Sequence, residues 1–339
     1  MMFVFVIPDA QSMMTGSAAW VVRPKSTSCQ EDLRLSRLKN NSSLARNIPM
    51  PDAKRKQKPE VSIIGAGRLG TTLAVALARK DYAIRSLVAR RLQSARRAAS
   101  FLDEELQVLG AKQLRSLRAA EVFIISTPDD QIAGVAEELS RLAFPKATAL
   151  HTSGALSAEA LAPLREKGWH TGSIHPLVSV SDTSPAAAIF RGTFWSVEGD
   201  QAALRLGKSI VRDLEGKSFS IRSQDKPLYH AAAVMASGNV VALFDVALEM
   251  LAECGLTRTT ARRVLLPLIE STVHNLESKD PVQALTGTFA RGDLETVKRH
   301  LAALNDLKDA LELYRLLGKR SLKLTKKRHP QITQILKSV

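Results

Sequence analysis

Histidine is the side chain whose ordinary pKa lies nearest neutrality, so a histidine at the mouth of a strand can pass protons at physiological pH. Two stretches of this chain end short apolar runs in that way: His151-Thr152-Ser153-Gly154 and Ser173-Ile174-His175-Pro176-Leu177. His175 could give a proton to a carbonyl oxygen as hydride arrives there, or take one in the reverse direction. Ser153 could orient that oxygen or the imidazole. The plainer alternative for His175 is a loop histidine held by hydrogen bonds, and His151 is expected to be structural. Further along, Lys226, His230 and Ser237 fall on one side of an apolar helix at helical spacing. Polar groups there need partners, either a substrate or the neighbouring domain. Arg291 and Asp293 belong to Thr286-Gly287-Thr288-Phe289-Ala290-Arg291-Gly292-Asp293, just before a helix start. Such a start favours a carboxylate, and Arg291 would strengthen it; the alternative is a capped turn, with Asp293 as the N-cap.

Hydride chemistry needs a hydride source, and Gly65-Ala66-Gly67-Arg68-Leu69-Gly70 supplies a place for one. Alone, this glycine spacing is a weak signal. Here an apolar strand precedes it, a helix follows, and a second strand comes next. Gly65 suits a tight turn, Gly67 a close approach to pyrophosphate, and Gly70 close packing of helix on strand. At the end of the second strand an NAD site usually offers an acid to the ribose. This chain offers Arg90-Arg91, which suit a 2′-phosphate and predict NADP; the alternative is two ordinary surface charges. Arg68 could also reach phosphate. Thr127 and Pro128, closing the third strand, are expected to face the cofactor.

The elements that must position these residues are legible as alternation. Apolar runs at 61–64, 84–88, 121–126, 148–151, 171–175, 194–197 and 218–221 read as strands. Helical patterns lie at 71–80, 92–102, 130–142, 157–167 and 201–214. Strand and helix in alternation imply a parallel, doubly wound α/β sheet covered on both faces, a Rossmann-type domain. Beyond Lys226 the strands stop. Pro227 to Glu253 reads as one long helix ended by Gly255, followed by helices near 259–276, 281–285, 294–304 and 307–326. The expected organisation is a disordered extension over 1–58, the dinucleotide domain over 59–224, an all-helical substrate and dimerisation domain over 225–328, and a tail over 329–339.

Composition narrows the function classes. The chain has 339 residues, 45% of them apolar, enough for two domains. Its two cysteines, Cys29 and Cys254, give neither a disulfide framework nor a metal site, and a reducing cytoplasm is the simple reading. The net charge of +15 sits at the ends: +6 over residues 1–59 and +8 over 315–339, leaving +1 for 60–314. Basic ends without a reading motif make nucleic acid an unfavoured partner. The N-terminal apolar run is short and makes a poor signal peptide, and Met50 is a candidate downstream start. The longest uncharged stretch, Ala231 to Phe244, is 14 residues, short of the ~20 a span needs, so a buried core helix is expected and no membrane partner.

Several stretches together carry a family resemblance: GAGRLGT, STPDDQI, HTSGALSAEALAPLREKG, GSIHPL, YHAAAVMASGN and ALTGTFARGD, spanning about residues 60 to 315. In them the chain resembles bacterial Rossmann-like predicted NADP oxidoreductases that carry a C-terminal helical domain of unknown function, within the 6-phosphogluconate dehydrogenase C-terminal-like superfamily. The resemblance implies NADP binding, a helical second domain and a homodimer. Prephenate dehydrogenases, in the wider superfamily, are similar in placing a serine and a His-Pro at adjacent strand ends, the positions of Ser153 and His175. The chain departs from the family pattern twice. Thr288 stands where a proline is usual, and Gly238 intervenes between Ser237 and Asn239. The function expected is NADPH-dependent reduction of a small carbonyl or imine compound bearing a carboxylate, such as the 2-oxo acid ketopantoate. His175 and Ser153 would then be catalytic, and His230, Ser237, Arg291 and Asp293 would hold substrate. The alternative is a non-catalytic NADP-binding sensor.

Overall fold

The structure is a computed structural model that describes residues 58–103, 105–182 and 185–337. The expected disordered extension, the candidate start at Met50 and Cys29 therefore lie outside the described residues. Eight strands form one sheet: β1 Val61–Ile64, β2 Ile84–Ala89, β3 Gln107–Gly110, β4 Val122–Ile125, β5 Thr148–His151, β6 His170–Pro176, β7 Phe194–Gly199 and β8 Lys217–Phe219. Their spatial order is β3-β2-β1-β4-β5-β6-β7-β8. The helices over the sheet are α1 Arg68–Ala78, α2 Leu92–Ala99, α3 Asp129–Ser140, α4 Ala162–Glu166 and α5 Gln201–Asp213. The order reverses direction between β1 and β4, and in such sheets ligands bind beyond the carboxyl ends of the strands at that switch point.

The core explains why these segments became strands. β1 and β4 are buried along their whole length, and each is an unbroken apolar or small run. One face packs Val61, Ile63, Leu73, Leu77, Ile84, Leu87 and Ile124 together; the other packs Ile64, Val88, Phe123 and Ile125 against Ile132 and Trp169. The fully parallel sheet expected from alternation is corrected at one edge. β7 runs antiparallel to β6, and β8 follows β7. Parallel neighbours need a crossover of a dozen or more residues, usually a helix. Among its described residues the chain between β6 and β7 holds only one short 3-10 turn, Ala187–Phe190, and no crossover helix, and β7 returns antiparallel. β3, absent from the sequence reading, is a four-residue edge strand.

The second half is helical throughout: α6 Lys226–Ala236, α7 Gly238–Glu253, α8 Arg258–Ser278, α9 Pro281–Ala284, α10 Gly287–Arg291, α11 Leu294–Ala303, α12 Lys308–Leu324 and α13 Pro330–Ile335. Two expectations change here. The single helix from Pro227 to Glu253 is broken at Ser237, whose φ of −128° and ψ of −82° leave the helical region. The break falls on a Ser-Gly pair, a common site of sharp kinks. Nor is this apolar stretch a buried core helix. Ser223–Glu253 is long and apolar enough to cross a membrane by length and composition, yet its most apolar window is only 6% buried. Leu228 is 77% exposed, Met235 67% and Val241 69%, with Leu268 of α8 at 64%. The expected tail also folds: α13 buries Ile332 and Leu336 against Val297 of α11.

Candidate active site

The glycine loop has the geometry its spacing predicts. Gly65 has φ +105°, and a β-carbon there would run into the Ser126 carbonyl and come within 2.6 Å of the Thr127 nitrogen. A β-carbon on Gly70 would strike the Gly65 carbonyl oxygen, so the helix lies directly on the turn. Gly67 is different: nothing lies within 4 Å of where its β-carbon would be. That open space is above the start of α1, which no side chain caps and whose first turn holds no acid. Backbone N–H groups there suit a pyrophosphate. Beneath the turn the Thr127 hydroxyl is buried with no partner among the described residues. Ala66 donates its N–H to the Val88 carbonyl at 2.8 Å, and Leu69 packs into the core, fixing the loop to β2 and the sheet. Pro128 is the residue before α3.

A small cavity of about 150 Å³ opens beside this loop, lined by Gly67, Arg68, Thr71, Ser94, Arg97 and Phe101 among others. Arg68 was expected there. Ser94 and Arg97 were not, because exposed polar residues on α2 carry no distinguishing pattern. Arg90 and Arg91 are exposed at the start of α2 and do not line that cavity.

A second cavity, about 440 Å³, lies where β6 meets α6 and the Ser237 break. It brings together His175, His230 and Ser237, three residues singled out from the sequence. Between the imidazoles sits Gly154: a β-carbon there would lie 2.8 Å from His175 Nε2 and collide with His230 Nδ1. The two rings are edge to face at 5.4 Å. Tyr229 Oη holds His175 Nδ1 at 2.7 Å, which leaves Nε2 turned towards Gly154. Burial, then the neighbouring His230 and the Lys226 ammonium, push the His175 pKa down to about 4. His230 Nδ1 is buried with no partner among the described residues.

Behind the histidines stands a group expected on the same helix side but given no part in substrate binding. Lys226, the first residue of α6, is 0% exposed. Its ammonium donates to Ser173 Oγ at 2.7 Å and to the Ser153 carbonyl at 3.3 Å, and no carboxylate pairs with it among the described residues. Burial lowers its pKa, against the pull of Glu198 and Asp129. A cation at a helix N-terminus also opposes the macrodipole. The sequence signal was its spacing with His230 and Ser237.

Other expected residues have different work. Ser153 donates to Asp129 Oδ2 at 2.8 Å and accepts from the N–H groups of Ala155 and Leu156, so its hydroxyl is fully occupied in the turn. His151 is structural: Nε2 pairs with the Ser157 carbonyl at 3.0 Å, and Nδ1 accepts from the Ser153 N–H. Burial takes its pKa to about 4. Asp293 caps α11 through Thr296, receiving both its N–H and its hydroxyl. Arg291 is exposed in the last turn of α10 and does not line the histidine cavity.

With this geometry in place, comparisons with known proteins become informative. Residues 47–176 match the model of a Rossmann-like domain, and residues 193–321 match DUF2520, a domain of unknown function. The chain joins a Rossmann-like domain to a DUF2520 domain. No curated protein matches it. Among solved structures, one described as a candidate NADP oxidoreductase from Bacteroides fragilis is 25% identical, with a TM-score of 0.67, covering 79% of this chain and 99% of that one. A Thermotoga maritima protein is also 25% identical, with a TM-score of 0.62 and coverage of 78% and 98%. A pyrroline-5-carboxylate reductase from Streptococcus pyogenes shares the fold at 14% identity and a TM-score of 0.53, covering 78% and 98%. The architecture is thus that of oxidoreductases with a dinucleotide domain and a helical second half. The DUF2520 match begins in β7 and takes in the broken helix α6–α7 together with Lys226, His230 and Ser237.

Proposed function

We propose that this chain is an NADP-dependent oxidoreductase acting on a small carbonyl or imine compound that bears a carboxylate. The observation that carries the reading is the histidine cavity: His175, His230 and Ser237 meet beyond the end of β6, on the side of the sheet where the glycine loop opens. NADPH, when bound, supplies hydride. The open space over Gly67 and the N–H groups of α1 would hold its pyrophosphate, and the unpartnered Thr127 hydroxyl offers a further hydrogen bond. Arg68, Arg97 and Ser94 line the adjoining cavity and, with Arg90 and Arg91 exposed just before α2, would supply the positive charge that a 2′-phosphate needs.

The chain's own residues handle charge and protons. At neutral pH His175 is uncharged, because burial and two neighbouring basic groups disfavour the imidazolium. A carboxylate entering the cavity offsets the Lys226 field and favours protonation of His175. Substrate binding therefore loads Nε2 with the proton that the reduced oxygen or nitrogen requires. Tyr229 holds the ring by Nδ1 throughout, its own proton retained because burial lifts its pKa to about 12. Ser237 and His230 supply the remaining polar contacts for the substrate.

The same reading includes a homodimer. Ten large apolar side chains stand exposed on α6, α7 and α8, and a second copy would cover them. Arg291, exposed and outside the histidine cavity of its own chain, would then be free to meet a substrate carboxylate.

The test is His175→Ala beside paired titrations with NADPH and NADH. Turnover with oxo acids or imines falls about 10²–10⁴-fold while NADPH affinity stays within twofold. NADPH binds at least about tenfold more tightly than NADH, and Arg90→Ala/Arg91→Ala or Arg97→Ala erodes that preference. Equal losses of turnover and cofactor affinity in His175→Ala would make the histidine structural, and a preference for NADH would remove the 2′-phosphate argument.

A further inference from the structure

The +8 charge of residues 315–339 is not spread along a solvated tail. α12 carries Arg315, Lys319 and Lys323 at four-residue spacing, with Arg320 beside them. After the helix ends, Lys326, Lys327 and Arg328 follow at once, and the chain then turns into α13. Ile332 and Leu336, buried against Val297, hold that last segment down. The fold thereby leaves an open cleft of about 760 Å³ between α12 and α13, lined by Lys319, Arg320, Lys323, Lys327, Arg328 and Lys337 among others. No acidic residue lines it. None of these six cations forms an ion pair among the described residues.

Two observations separate this cleft from ordinary surface charge. Like charges four residues apart on a helix repel, and only Lys323, in the last turn, gains from the helix dipole. The ridge thus works against the helix that bears it, as binding surfaces do. And the space is concave and within the ~300–1,000 Å³ of small-molecule sites.

We propose that the α12–α13 cleft binds a compact polyanion carrying several adjacent phosphates. Six cations around one concavity match clustered negative charge better than a single carboxylate or phosphate would. The cleft has no Phe, Tyr or Trp among its lining residues to serve as a base-stacking platform, which disfavours single-stranded nucleic acid. The ligand site is separate from the glycine loop and from the histidine cavity, with which it shares no residue.

The test uses the full chain saturated with NADPH, at physiological salt, titrated calorimetrically with inorganic tripolyphosphate and with monophosphate. The exposed triple variant Lys319→Gln/Lys323→Gln/Arg328→Gln is measured beside it. The parent binds one tripolyphosphate per chain and binds monophosphate at least about tenfold more weakly. The triple variant loses tripolyphosphate affinity by at least about tenfold, with its unliganded melting temperature unchanged or raised. The proposal is overturned if tripolyphosphate does not bind, if the variant binds it as the parent does, or if monophosphate binds equally well. It is also overturned if a 20-base-pair duplex or phosphatidylserine vesicles bind more tightly than tripolyphosphate and lose that binding in the same variant.

Discussion

The two halves of the chain treat their apolar residues in opposite ways. Between residues 58 and 224 the sheet and its helices bury 41 of them, nearly all in two layers. Beyond residue 225 only seven apolar residues are buried among the described residues, whereas thirteen of the sixteen exposed large apolar residues lie there. A parallel sheet satisfies itself, since crossover helices cover both faces within one chain. A layer of helices one deep does not, because each helix has a face with nothing opposite it. The first half therefore covers its own apolar surface, and the second leaves much of its apolar surface exposed.

The largest break in this contrast is expected within the sheet half. Gly65→Ala forces a β-carbon onto the Ser126 carbonyl at a φ that L-residues avoid, and should cost about 3 kcal/mol or more, read as a lower urea midpoint. Gly67→Ala, two residues away, meets nothing and should leave stability within about 1 kcal/mol while cutting NADPH affinity tenfold or more. Equal destabilisation by both would mean that the loop is only a turn. In the helical half, Val241→Asp with Leu268→Asp should halve the mass measured by light scattering, with the melting of the sheet unchanged. An unaltered mass would leave the apolar face without its second copy.

Acid should weaken the sheet half selectively. His151 and His175 have folded pKa values near 4 against an ordinary 6.5. The unfolded chain binds protons there that the folded chain does not, so stability falls as pH drops through 6.5 and the loss is complete near 4. On the order of 3 kcal/mol per histidine is at stake. Urea melts from pH 7 to 4 should show it, and His151→Asn should flatten the slope. The smallest effect is expected from Lys226→Met. Removing an unpaired buried ammonium should change stability by no more than about 1–2 kcal/mol, most simply upward, while raising the pKa of His175 in an NMR titration. An unmoved His175 would show that the two groups do not sense each other.

What was legible in the sequence follows the same divide. The glycine loop was readable because Gly65 and Gly70 answer steric demands local to the turn, while Gly67 keeps the space over the helix start open. His175, His230 and Ser237 were found because their places at a strand end and on one helix side are properties of spacing, and the fold brings all three to one cavity. Strand direction was not readable from the apolar runs, which look alike in either sense. The deciding fact, that no crossover helix stands among the described residues between His175 and Phe194, lies in the connection. Ala231 to Phe244 misled for another reason: an apolar run states that something covers it, not whether the cover comes from the same chain. Ser94 and Arg97 gave no signal, since polar residues on an exposed helix are the commonest kind. The hydroxyl of Ser153 was legible as polar, but its engagement with Asp129 and two backbone N–H groups depends on a turn that no periodicity reports.

The break at Ser237 acts as a phase reset. An α-helix turns through 100° at each residue, so an unbroken helix with one extra residue would aim everything beyond it a quarter-turn or more astray. Ending one helix and beginning another at the same residue uncouples the two directions. α6 keeps His230 on Gly154 whatever α7 faces, and α7 can aim Val241 outwards without disturbing the imidazoles. A lineage could lengthen, shorten or re-angle the outward surface and leave the inward one in register, much as a universal joint lets two shafts meet at an angle that neither dictates.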